Sequence, residues 1–213
     1  MGCALIFLWT SIVISGRAEP QPVKSDKPPA SARGGNVMMA RIGVLITSDG
    51  KTAHAKGLEK VKAGDRLRIY VQPQQACRIY VVHTDHRKVT LLTVFKAENP
   101  GDLLALPGPP DFYEVDGESP SEDFTIICSA EELIDISNLF KSGATYKSWA
   151  SVERKLLEEG KNDLSQKPEK PLAIAGNVRA LDSSGKDDPM ISGFPIYSGT
   201  TLLVKRYEFA VKK

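Results

Sequence analysis

The chain has 213 residues and a mass of 23.2 kDa, with 41% hydrophobic and 25% charged residues. That composition excludes disordered, collagenous and disulfide-dense classes, and the length allows one domain with a buried core, with or without appendages. Lys plus Arg number 28 against 26 Asp plus Glu, a formal net charge of +2, which argues against a dedicated nucleic-acid binder.

Residues 4–14 (ALIFLWTSIVI) form an uncharged apolar run. A bilayer takes about twenty apolar residues to cross, so the run is short for a membrane helix. It fits the centre of a secretory signal, with Gly16 and Ala18 as small residues for cleavage before Glu19. No Lys or Arg precedes it. A buried N-terminal element and an uncleaved membrane anchor are the alternatives. Residues 1–18 are therefore expected to be a signal peptide directing the chain to the periplasm or the exterior.

Residues 19–38 are expected to be a disordered linker rich in Pro, Ser and Ala. Across residues 19–36 only Val23 is large and apolar, too little burial to offset ordering entropy. A single β-rich domain is expected over residues 39–213.

Residues 42–47 are a short apolar run closed by Ser48-Asp49-Gly50. Lys62-Ala63-Gly64-Asp65 delivers the chain into residues 66–71, where Leu67, Ile69 and Val71 alternate with Arg66, Arg68 and Tyr70. That period of two marks a half-buried strand. Residues 78–84 and 89–95 are β-branched and aromatic runs separated by Asp85-His86-Arg87-Lys88, which predicts a β-hairpin. Residues 100–110 are a proline-rich loop, 112–115 a short strand, and 124–129 (FTIICS) another strand. No crossover helix separates these strands, so antiparallel pairing is expected.

Two helices follow. Ser129-Ala130-Glu131-Glu132 reads as a capping box before Leu133, Ile136, Leu139 and Phe140. Ser148 opens a segment with Trp149, Val152, Leu156 and Leu157, stopped by Gly160. Residues 172–181 suit a strand, and residues 202–211 (LLVKRYEFAV) predict the last one. The expected fold is mainly β with two inserted helices, an antiparallel sandwich or barrel-like, Ig-like domain.

Three segments carry a family resemblance: KAGDRLRIYVQ (62–72), ACRIYVVHTDHRKVTLL (76–92) and SEDFTIICSAEEL (121–133). Together they resemble the bacterial domain-of-unknown-function 4384 family: a Gly-Asp entry into a strand, a Tyr-bearing hairpin turning through Asp, and a strand ending in Ser before a helix. The match covers about residues 60–135, with 202–211 as a weaker fourth piece. His86-Arg87-Lys88 stands where the family commonly places Gly. The resemblance implies a β-rich accessory domain of envelope or signalling proteins and supplies no catalytic residues.

Once Cys3 leaves with the signal, Cys77 and Cys128 remain as an even pair in an oxidising compartment. A Cys77–Cys128 disulfide is expected, closing about 50 residues and worth roughly 4 kcal/mol on the chain-entropy model. Two separate buried thiols are the alternative.

Metal-capable side chains cluster only at His83-Thr84-Asp85-His86, with His54 far off in sequence. Zinc needs three or four convergent ligands, and a solvated turn is the plainer reading. A Cys–His nucleophile pair would join Cys77 or Cys128 to His54, His83 or His86, but Cys128 lies on the face of Phe124 and Ile126, where burial raises a thiol pKa. Asp116, Glu118, Glu122 and Asp123 crowd one loop as potential acid–base or calcium groups without EF-hand spacing. Ser183-Ser184-Gly185-Lys186, in the polar stretch 182–188, lacks the spacing of a phosphate loop. Tyr70, Tyr80 and Arg68 could share one exposed sheet face. No cofactor, metal or catalytic residue is assigned. The expectation is an exported, non-catalytic binding domain with an envelope-protein partner and no nucleic acid. Membrane contact comes only through an uncleaved signal. A small-ligand or glycan module built on residues 107–123 is the alternative, and a hydrolase with a Cys–His or carboxylate site the second alternative.

Overall fold

The computed structural model describes residues 37–160 and 189–212. The signal, most of the linker, the strand expected at 172–181 and the polar stretch 182–188 lie outside the described residues.

In chain order the elements are β1 (Met38–Ser48), β2 (Lys51–His54), β3 (Leu58–Lys62), β4 (Arg66–Pro73), β5 (Cys77–Thr84) and β6 (Val89–Ala97). Then come β7 (Leu104–Leu106), β8 (Tyr113–Glu114), β9 (Ser121–Ser129), α1 (Ile134–Lys141), α2 (Tyr146–Glu159), α3 (Pro189–Ser192), β10 (Ile196–Gly199) and β11 (Leu202–Lys212). β1 opens at Met38, the last residue read as linker, because Met38 is buried and pairs with Gly199 of β10.

The strands form two sheets. One runs β10-β1-β4-β7, with β2 also on β1 and β8 on β4; the other runs β3-β11-β9-β5-β6. They are separate ladders facing one another, so the fold is a β-sandwich and no closed barrel forms. Pairing is antiparallel except between β3 and β11, which run parallel.

Strand alternation explains the layering. Ile42, Val44, Leu67, Ile69 and Val71 of the first sheet meet Ile79, Val81, Phe124, Ile126, Leu203 and Phe209 of the second in one core. Each such side chain contributes about 1.5–3 kcal/mol by leaving water. The Tyr207 hydroxyl crosses the core and donates to the Ile42 carbonyl at 3.3 Å. Residues of the opposite parity in the second sheet, Tyr80, Val82, Ile127 and Leu202, bury Ile136 of α1 and Trp149 and Leu156 of α2. The helices thus cover the outer face of the second sheet.

The outer face of the first sheet is partly closed by Ile191 and Phe194, packed on Leu45 and Tyr70. Gly43 makes this possible. A Cβ there would fall 1.8 Å from Phe194 Cδ1.

Both helix starts differ from expectation, and α2 opens at Tyr146, two residues before Ser148. α1 begins after Leu133 with no side-chain cap, because Ser129 is held in β9 opposite Leu202 and Arg78. Its hydroxyl accepts instead from the Glu131 amide at 3.3 Å. α2 has a capping box, formed by Thr145 and Ser148. Among the described residues no helix is long and apolar enough to cross a membrane.

Candidate functional site

The β5–β6 turn organises one end of the sandwich. Asp85 Oδ1 accepts from the amides of Arg87 at 2.8 Å and Lys88 at 2.6 Å. Thr84 Oγ1 accepts from the His86 amide at 3.1 Å and donates to the Lys88 carbonyl at 2.8 Å. His86 takes a left-handed φ of 69° at the corner. Burial pushes the Asp85 carboxyl up, but the two amides, the Ser119 hydroxyl and the Arg87 guanidinium outweigh it and hold it below the usual aspartate value.

This turn separates the histidines read as one cluster. His83 projects to the face between the sheets, where Nε2 meets Glu122 Oε2 at 2.5 Å and the ring lies 4.9 Å from Phe124. His86 turns to the helix side, where Nε2 meets Asp123 Oδ2 at 2.7 Å and the ring stacks on Tyr146 at 5.2 Å. Adjacent residues of β9 carry the two carboxylates to opposite faces, as strand geometry dictates. His54 lies apart, 4.5 Å from the Phe194 ring. No group of three metal-capable side chains converges among the described residues.

His83 and Glu122 open into a cleft of about 220 Å³ between the sheets, lined also by Asp85, Tyr113, Glu114, Asp116 and Phe124. Aromatic walls with polar groups at one end suit recognition of a small polar molecule. Of the four carboxylates expected to crowd one loop, only Asp116 and Glu122 reach this cleft. Asp116 accepts from the Glu118 amide at 2.8 Å, and Asp123 faces the helices.

On the helix side the sequence hid a charged network. Arg206 reaches Asp123 at 2.8 Å, Glu153 at 3.4 Å and Glu208 at 3.1 Å. Thr125 Oγ1 hydrogen-bonds the other oxygen of Glu153. One signal was available: Glu153 interrupts the buried helical stripe of Trp149 and Leu156.

Tyr70, Tyr80 and Arg68 do not share a platform. Tyr70 is covered by Phe194 at 5.8 Å, while Tyr80 is buried in the other sheet and its hydroxyl accepts from the Leu133 amide at 2.9 Å. Arg68 donates to the Asp111 carbonyl at 2.6 Å and lies 3.9 Å over the Phe112 ring, fastening a loop.

Cys77 and Cys128, expected as a disulfide, are free thiols. The register sets Cys128 opposite Ile79, so Cys77 is its diagonal neighbour on the same face rather than its direct partner. The two thiols influence one another, and among the described residues neither is paired with a histidine. The contact lowers the Cys77 pKa against the opposing effect of burial; the same contact and burial raise that of Cys128 well above the usual thiol value.

At the sheet margin, β6 pairs only with β5 among the described residues. A bulge between Val81 and Val82 leaves Leu92 as the extra residue of β6. Val94 is 47% exposed.

Comparison with family models, curated proteins and solved structures finds no match to this chain.

Proposed function

We propose that the chain is an exported, non-catalytic binding domain of the bacterial cell envelope that engages a protein partner along β6. The observation that carries this reading is the open edge itself. Residues 89–95 (VTLLTVF) are uncharged and β-branched or apolar, and they end a five-stranded sheet. Over this uncharged stretch, which stops short of Lys96, the outer backbone groups of β6 are a template for an added strand. Export is supported by the signal-like run 4–14, and the envelope by the resemblance of segments 62–72, 76–92 and 121–133 to the 4384 family.

Val94→Lys places a solvated cation on this edge. The expected result is loss of the partner that co-purifies from the envelope fraction, with an unchanged melting temperature. Leu58→Lys, on the opposite edge strand β3, should keep the partner. Equal retention by both variants would overturn the edge reading.

A second reading has its own observation, the cleft at His83 and Glu122 between aromatic walls. It makes the domain a small-ligand or glycan module. Native mass spectrometry of protein isolated from the envelope would then show a bound small molecule that Tyr113→Ala releases.

A further inference from the structure

The cleft at His83 and Glu122 is a mouth of the core, and strand register turns its walls toward one another. His83 pairs with Thr90 of β6 and with Phe124 of β9, and Glu122 lies two residues from Phe124 on the same side. Across the gap Tyr113 of β8 pairs with Leu67 of β4. Leu67, Val115, Glu122 and Phe124 are buried, whereas Glu114 and Asp116 are exposed, so carboxylates run from the rim to the floor. We infer, on the small-ligand reading of this cleft, that its occupant is a small organic cation: a primary amine carried on an apolar or aromatic body.

Charge sets the sign of the ligand. Asp85, Glu114, Asp116 and Glu122 bring four carboxylates into about 220 Å³, against the single imidazole of His83, and no Lys or Arg lines the cleft. Two arginines outside the lining approach these carboxylates, Arg66 at 3.7 Å from Glu114 and Arg87 at 3.9 Å from Asp85. Both arginines are mostly exposed, so solvent weakens their hold. Two carboxylates keep an oxygen for a ligand. Glu122 Oε2 meets His83, and Asp116 Oδ1 accepts from the Glu118 amide. Glu122 Oε1 and Asp116 Oδ2 have no partner among the described residues. An ammonium that reaches buried Glu122 has left most of its water, where an ion pair is stronger than at the surface.

The lining also favours an organic cation over a metal ion. No three metal-capable side chains converge among the described residues. Tyr113 and Phe124, with ring centroids 5.9 Å apart, offer aromatic surface in place of further oxygen donors. These rings and Leu92 would cover an apolar body, and an ammonium over a ring face gains cation–π attraction.

The test titrates the full chain with three probes of one shape: tyramine, a cation; 4-ethylphenol, its neutral counterpart; and 4-hydroxyphenylacetate, an anion. Amide shifts in two-dimensional NMR report both affinity and place. Tyramine is expected to bind saturably, with shifts centred on His83, Glu122 and Phe124, at least about tenfold more tightly than 4-ethylphenol. The anion should bind more weakly still. Glu122→Gln should weaken tyramine about tenfold and leave 4-ethylphenol unchanged. If that variant fails to fold, Asp116→Asn at the exposed rim should weaken tyramine about threefold, again without effect on 4-ethylphenol. Tyramine binding unchanged in a folded variant, or no binding in the cleft below about 10 mM, would overturn the proposal. Equal or tighter binding of 4-ethylphenol or the anion at this site would overturn the cationic class and leave the small-ligand reading standing. That reading falls separately, when no small molecule released by Tyr113→Ala accompanies the protein and none of the three probes enters the cleft.

Discussion

Arg206 Nη2 lies 2.8 Å from Asp123 Oδ2, joining residues 83 apart in sequence beneath α2. Asp123 is 2% exposed and Glu153 6%, so Arg206 neutralises two carboxylates that have left water. Removing it strands them. Breaking a buried pair costs about 3–5 kcal/mol. Arg206 retains 29% exposure, so Arg206→Met should cost about 2–4 kcal/mol, with some of the loss screened by solvent. Urea denaturation measures it, and a loss below about 0.5 kcal/mol, the scale of an exposed pair, would remove the network from the account.

The β5–β6 turn predicts a pH dependence. The folded Asp85 carboxyl sits below its usual value of 3.8, so the unfolded chain binds the proton more readily. Its contribution is complete above the unfolded pKa and is lost as pH falls through the lower, folded pKa. Asp85→Asn should therefore be less stable than the parent at about pH 7, and the gap should shrink as the pH is taken down below 3.8. A gap of constant size across that range would show that the charge is immaterial.

Gly43 faces a simple steric test. Gly43→Ala drives a methyl into the Phe194 ring, and overpacking of this kind costs about 1–3 kcal/mol. Thermal unfolding should show a lowered midpoint, together with altered near-ultraviolet circular dichroism from Phe194 and Tyr70. A midpoint equal to the parent's would mean the ring moves aside freely.

The α2 cap gives the smallest effect. Thr145 accepts from the Ser148 amide at 3.2 Å, and Ser148 Oγ accepts from the Thr145 amide at 3.0 Å. Thr145→Ala should cost about 1 kcal/mol. Ser129→Ala removes no helix cap and should leave helix content unchanged by circular dichroism.

These elements also show what a sequence exposes. β4, β5, β6, β9 and β11 were legible because their burial imposes alternation or continuous β-branched runs. β2 and β3 were not: KTAH and LEKVK are polar, and β3 exists through parallel pairing with β11, some 150 residues on. The box at Ser129 misled because the same hydroxyl can serve a strand end. At the candidate site, His83 and His86 looked like one cluster until the left-handed corner sent them to opposite faces. Arg206 and Asp123 left no local trace, since only the β9–β11 register brings them together. The Cys77–Cys128 proximity was legible from strand order, but not the diagonal register that distinguishes the two thiols.

The central claim is that β6 is the surface a protein partner occupies. Photo-crosslinking from single positions in the bacterial envelope tests it most directly, with the reactive side chain at Val94 on β6 and, separately, at Leu58 on β3. The account predicts a discrete protein adduct from Val94, absent from Leu58 and lost when Thr93→Pro is added. No adduct from Val94, or equal adducts from both edges, would contradict it.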